Sequence, residues 1–474
     1  MSPLEKFAFD STQDLADLEP VRSIFERMKI TRESQFRDLP ELLAQVPATD
    51  TISVWSGPAL AGDSQPTIVG TGIALAIVAK EDASHVLVDA NFQELSRALL
   101  PTPRPEDPGL VQNQPHMKRA GAAWLRLVSK YEGVVGAREF EEEVGLAAPL
   151  GLMSFGFAPT TPGTLILPQV TWVSAAGATW RIEVGDGLKT LDCRSEAPKL
   201  ADPESWYLDP GTMSRTAWKR AVGAVIEELR RGDTKKAVMA RDITARADHP
   251  IDLRAVLAEL ADAYPTCWKF AVAGMTGASP EMLASVRDGV VKSRVLAGTC
   301  APGNGPQLME SAKDRQEHAF AVQSVVEALE PMVSALDAAD KPFLLDLPNV
   351  THLATDVQAQ LTGIDSDLAP VCEVVRALHP TAAVCGTPTQ QAFELLSVHE
   401  LTDRGRYSGP VGWIDANGEG ACAIALRCGQ VLPDGQSIRV FAGGGIMPDS
   451  QPEVEVQETQ AKMMPVLQAI GLEK

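Results

Sequence analysis

Two pairs of carboxylates stand three residues apart in the second half of the chain. Asp314 and Glu317 lie in SAKDRQEHAF, and Glu455 and Glu458 lie in PEVEVQETQAK, with Lys462 one turn further on. Both stretches read as helical, so a three-residue step keeps each pair on one face. Four carboxylates on two facing helices make a hard oxygen site of the kind Mg²⁺ takes. An ion held there would fix an anionic ligand against an otherwise acidic protein. Taken singly, each pair also reads as a solvated acidic helix face. Phosphate-loop chemistry is excluded: no GK[ST] loop exists, and GTGIAL puts leucine where a dinucleotide fingerprint needs Gly or Ala.

The elements that must position these groups belong to a chain of 474 residues, long enough for one large α/β domain or two to three ordinary ones. Hydrophobic residues make up 45% and aromatics 5%, so aliphatic side chains fill the core. A net charge of −20 argues against nucleic acid as a partner. Seven scattered cysteines without CxxC spacing fit free thiols in a reducing compartment. No apolar run reaches membrane-spanning length and the N-terminus lacks a signal pattern, so the expectation is a cytoplasmic protein with no membrane partner.

Residues 1–50 read as helical and polar, ending in LPELLAQV. Short β-rich runs follow from TISVWSGPAL through TIVGTGIALAIVA, then the Pro-rich segment LLPTPRPEDPGLVQNQP, expected as an exposed loop. TLILPQVTWVSAAGATWRIEV alternates as a half-buried antiparallel sheet would. A helix is predicted from Ser214, with Trp218, Ala221, Val222, Val225, Ile226 and Leu229 on one face and Gly232 at its end. Next come a strand at TKKAVMARD, a strand at CWKFAVAGM, a turn at TGASPEML, a strand at VLAGTCAPG and a long helix from about Glu310 to Leu336. The elements lack regular βαβ alternation, which argues against a parallel Rossmann sheet.

The segments KKAVMAR, GASPEML, LAGT, KDRQEH, HPTAAVCGTP, YSGPVGW, IALRCG, AGGGI and VQETQAK occur in this order within residues 235–474. Together they resemble the chorismate-utilising enzymes: isochorismate, salicylate, anthranilate and aminodeoxychorismate synthases. Looser likeness, as in GFAPTTPGTLILPQVTW, reaches back to about residue 50. The resemblance implies an α/β fold of α+β type, with two antiparallel sheets covered by helices in a single large domain. That domain would span residues 51–474, preceded by a helical extension over residues 1–50, with the cleft at one end.

The resemblance also implies roles. Glu317 and Glu458 would hold Mg²⁺, supported by Glu455 and Asp314 directly or through water. Lys236 matches the family's general base, although a one-residue slip would exchange it with Lys235, whose side chain points to the other side of a strand. Glu281 matches the general acid, a task that needs an apolar setting to keep the carboxyl protonated. A surface glutamate after Pro280 at a helix start is the plainer alternative. Tyr407 and Arg427 resemble the pair that grips the enolpyruvyl carboxylate, where the arginine fork is bidentate. The backbone amides of Gly443 and Gly444 would approach the same carboxylates. Lys462 would reach a carboxylate or pair locally with Glu458. Gly298 and Thr299 would line the ring, with His379 near its hydroxyls or else a buried structural histidine. His318 faces elsewhere on its helix.

Within the family, Ala297 stands where aminodeoxychorismate synthases carry lysine, and Lys236 stands where anthranilate synthases carry glutamine. The expected activity is therefore Mg²⁺-dependent isochorismate synthesis from chorismate, without an obligate glutaminase subunit, in a monomer or homodimer. Salicylate synthesis is the alternative: Ala383 favours isochorismate, whereas Val384 is closer to the lyase pattern. A non-catalytic chorismate-binding relative is a third reading, opposed by the retention of Lys236 and Glu281. CAPG after LAGT, Cys385 and Pro465 depart from the family's usual residues, and Pro465 is expected to kink the last helix.

Overall fold

Short apolar runs punctuated by Gly, Pro and Asp form strands that pair antiparallel throughout the described chain. The structure is a computed structural model describing residues 19–47, 51–60, 64–79, 84–89, 94–99, 115–128, 134–159, 161–185, 198–200 and 206–472. Among the described residues, two 12-stranded sheets form the framework. The first contains Ile52–Ser56, Trp268–Val272, Met275–Ser279, Cys428–Val431, Ser437–Ile446 and Lys236–Arg246 as consecutive neighbours. The second contains Thr351–Leu361, Val290–Cys300, Met282–Arg287, Gly420–Ile424, Pro410–Ile414 and Gly151–Ser154 in the same manner. This is the two-sheet, helix-covered α/β architecture that the segment order implies.

The main hydrophobic core is lined by Trp55, Trp124, Trp218, Trp268 and Phe270 together with aliphatic side chains. Smaller cores lie under the C-terminal helix Pro452–Ala469 and beside the helix Leu39–Leu43. The predicted alternation at 164–184 does form antiparallel strands, Gly163–Leu167, Val170–Ala175 and Ala178–Glu183. They are buried on both faces rather than one: Val173, Trp180 and Ile182 join the main core, while Val170 and Trp172 join the core beside Leu39–Leu43.

The helix Arg215–Arg231 is capped by the Ser214 side chain and stopped at Gly232, and its predicted apolar face is buried apart from half-buried Ala221. Its Trp218 indole donates to Ala240 O at 2.9 Å, pinning the strand Lys236–Arg246 from behind. Three local expectations need correction. TGASPEML is not a turn: Met275–Ser279 and Met282–Arg287 are strands, one in each sheet, and Pro280–Glu281 links them. The long helix ends at Leu329, because Pro331 follows and the β-branched Val333 begins the strand Val333–Ala338. Residues 19–47 are not wholly helical; Lys29–Arg32 forms an edge strand on Ala178–Glu183. The last helix continues through Pro465 to Ala469. The Pro-rich segment at 100–114 lies outside the described residues. Among the described residues no helix is long and apolar enough to cross a membrane, and six cysteines are free thiols.

Candidate active site

The site sits where the chain changes sheets. Of the several crossings between the sheets, two lie at the site: Pro280–Glu281, and Ala425–Arg427, which joins Gly420–Ile424 in the second sheet to Cys428–Val431 in the first. Backbone bonds clasp the two crossings: Ile424 N–H donates to Glu281 O at 3.1 Å, and Ala278 N–H to Arg427 O at 3.2 Å. Beside them lies a cavity of about 250 Å³, a size suited to one small metabolite.

Lys236, Glu281, Gly298, Thr299, Asp314, Glu317, Tyr407, Arg427, Gly443, Glu455, Glu458 and Lys462 all line this cavity. Lys236 opens its strand with a side chain 1% exposed, while Lys235 is exposed, so the register places Lys236 at the site. Its Nζ lies 3.0 Å from Glu317 Oε1. Burial opposes ionisation of Glu317, but the charge and hydrogen bond of Lys236, with Lys462 and Lys313 beyond, hold the carboxyl below its ordinary value. Glu281 behaves oppositely. Burial pushes it up to about 8, against the opposing Leu296 N–H and the charges of Lys236, Arg427 and Lys462. Glu281 therefore keeps its proton at neutral pH, and no helix starts there to make it a surface residue.

A β-bulge shapes the opposite wall. The pairing of Val290–Cys300 with Thr351–Leu361 slips between Ala297 and Thr299, leaving Gly298 unpaired at φ +78°. His352, in the facing strand, is within bonding distance of Thr299 Oγ1 at 3.0 Å and Gly298 O at 3.3 Å through Nδ1. Arg427 Nη2 donates to His352 Nε2 at 2.8 Å. A guanidinium always donates, so Nε2 accepts and the ring proton sits on Nδ1. Burial and the neighbouring Arg427 and Lys462 keep this imidazole neutral, well below its ordinary titration range. Tyr407 stacks on Phe441 with centroids 5.1 Å apart, and burial pushes its hydroxyl up to about 12, leaving a neutral donor beside Arg427.

Two expected residues are elsewhere. His379 is fully buried outside the cavity, bonding Phe157 O at 3.1 Å and meeting the Phe157 ring edge-on. Gly444 faces the C-terminal helix, where a Cβ would come within 3.0 Å of Glu455 Oε2. Two residues take those places: His352, for which no local motif gave a signal, and Gly445, which strand alternation places on the same side as Gly443. A Cβ on Gly445 would lie 2.5 Å from Glu317 Oε1 and 3.0 Å from Lys236 Cε. Ala383 and Val384 also line the cavity. His318 packs away from it, bonding Thr355 Oγ1 at 2.7 Å.

The carboxylates come from the first turns of the helix Ala312–Leu329 and from Pro452–Ala469. Ser311 Oγ caps the former and bonds Asp314. Glu458 pairs with Lys462, whose Nζ also donates to Gly443 O at 3.1 Å. Glu455 Oε2 is buried without a hydrogen-bond partner, and burial together with Glu458 pushes that carboxyl up to about 7. Among the described residues no three acidic, His or Cys side chains are gathered closely enough to hold a metal as they stand. In donor type the set fits a hard divalent ion, and the orphaned Glu455 oxygen is a place for one.

Known proteins resemble this chain in sequence and in fold. A putative isochorismate synthase MenF of Mycobacterium tuberculosis is 35% identical over 262 residues, 51% of this chain and 69% of that protein. Isochorismate synthase MenF of Bacillus subtilis is 32% identical over 316 residues, 64% of this chain and 65% of the relative. The solved structure of MenF, the menaquinone-specific isochorismate synthase from Escherichia coli, superposes with a TM-score of 0.69 at 21% identity, covering 94% of each chain, a likeness of fold. The family model described as chorismate binding enzyme matches residues 177–471, which include the two crossings at the site and every cavity-lining residue named above, and the chain belongs to that family.

Proposed function

We propose that the chain is a Mg²⁺-dependent isochorismate synthase of the cytoplasm, acting on chorismate without a glutaminase subunit. The observation that carries this reading is the pairing in one cavity of a buried lysine, Lys236, with a glutamic acid, Glu281, that burial keeps protonated. Lys236 takes a proton from water as the water oxygen bonds to C2 of chorismate. The ring electrons shift, the C4–O bond breaks, and Glu281 gives its proton to the departing hydroxyl, which leaves as water. One water enters and one leaves, so the net reaction is an isomerisation. For Lys236 to act, its pairing with Glu317 must be released and its ammonium must first give up a proton to solvent, so that the neutral amine accepts the one from water. Arg427 and Tyr407 grip the enolpyruvyl carboxylate, and His352 fixes the direction of the Arg427 fork.

Glu317 and Glu458 would hold Mg²⁺, with Glu455 and Asp314 in support. When bound, the ion supplies positive charge to a substrate carboxylate among these acidic groups. Val384 on the cavity wall favours a second reading, salicylate synthesis, in which pyruvate is eliminated after isochorismate forms. Incubation with chorismate and Mg²⁺ followed by chromatography of the products tests both. Isochorismate alone supports the first reading, salicylate with pyruvate supports the second, and anthranilate with ammonia or no product rejects both.

A further inference from the structure

Of the three lysines that line the cavity, Lys236, Lys313 and Lys462, the first and last are engaged by residues that would ligate the metal. Lys236 holds Glu317 at 3.0 Å, with side chains 1% and 13% exposed. Lys462 holds Glu458 and is steadied by Gly443 O at 3.1 Å. Gly445 lets the first pair form, because any Cβ there would occupy the space of Glu317 Oε1 and Lys236 Cε. The third acidic residue, Glu455, keeps an unpartnered oxygen, and the group as a whole is not gathered.

We infer that Lys236 and Lys462 are built-in counter-cations that occupy Glu317 and Glu458 in the ion-free protein, so that a divalent ion binds by exchange and the two lysines set its affinity. The inference rests on the reading that these carboxylates hold Mg²⁺. An ammonium engages each carboxylate separately across about 3 Å, whereas Mg²⁺ draws several oxygens to about 2 Å. The ion and the lysines compete for the same oxygens and cannot both hold them fully. Removing an ammonium while keeping its carboxylate leaves a poorly solvated charge without a partner, which raises the demand for a cation.

The exchange predicts that losing a cationic side chain strengthens cation binding inside one cavity. The test is calorimetric titration of Mg²⁺ into substrate-free full-length protein: wild type, Lys462→Gln, Lys236→Met and the double variant Glu317→Gln/Glu458→Gln. The double variant subtracts binding elsewhere on the acidic surface, and circular dichroism checks each fold. Each lysine variant is expected to bind at least tenfold more tightly than wild type and to gain more in Tm from Mg²⁺. Should Lys236→Met fold only with Mg²⁺ present, that too supports the exchange, and Lys462→Gln still supplies the affinity. Wild-type binding with equal or weaker affinity in the lysine variants overturns the exchange and leaves the Mg²⁺ reading standing. No binding above the double variant by any protein overturns both.

Discussion

Glu281 permits a test that does not depend on turnover. Burial raises its carboxyl to about 8 from an ordinary 4.5, so between those values the folded protein holds a proton that the unfolded chain has released. Stability from this group is complete below about pH 4.5 and falls as pH rises, levelling off above about pH 8. At about 1.4 kcal/mol per pH unit the whole window is worth roughly 5 kcal/mol, and the part between pH 6 and 8 roughly 3 kcal/mol. Glu281→Gln keeps the shape and cannot ionise. Denaturant unfolding of both proteins at pH 6, 7, 8 and 9 should therefore show the variant gaining about 3 kcal/mol relative to wild type from pH 6 to pH 9. Titrations common to both proteins cancel in that difference. Parallel stability profiles would refute the reasoning, because they would mean that Glu281 is already ionised when folded.

Lys236→Gln should lower turnover of chorismate by about 10²-fold or more while leaving the circular dichroism spectrum unchanged; wild-type kcat would remove Lys236 as the base. Gly445→Ala forces a methyl group against the Lys236–Glu317 pair, at a cost of roughly 1–3 kcal/mol in the cavity wall, and kcat should fall about tenfold or more in a folded protein. Two histidine variants separate the cavity from the core. His352→Gln, which loosens Arg427, should raise KM for chorismate about tenfold, whereas His379→Gln should lower Tm and leave KM near its wild-type value.

Much of the cavity was legible because its residues sit in contiguous segments whose order along the chain resembles a known family, although each acidic pair taken singly also reads as a solvated helix face. Asp314 with Glu317, and Glu455 with Glu458, share faces because helical spacing dictates it, and both faces line one cavity. The helix from Ser214 to Gly232 was equally legible, since cap, apolar face and stop residue agree. Legibility failed where long-range pairing decides. His352 reaches the cavity through a strand facing the Gly298 bulge, a partnership no local pattern encodes. The segment around Glu281 looks like a turn because glycine, serine and proline crowd there, yet its residues supply strands to two different sheets. Gly444 was a failure of a different sort, because strand alternation was available to place Gly445 beside Gly443.

The clasp between the two sheet crossings has a mechanical consequence. Glu281 and Arg427 ride on adjoining links, tied by backbone hydrogen bonds at 3.1 and 3.2 Å, while Lys236 opens a strand of one sheet. A small slide of one layer over the other would carry Glu281 and Arg427 as a unit and alter their reach to Lys236. Relative placement of the layers thus sets the spacing between Lys236 and Glu281.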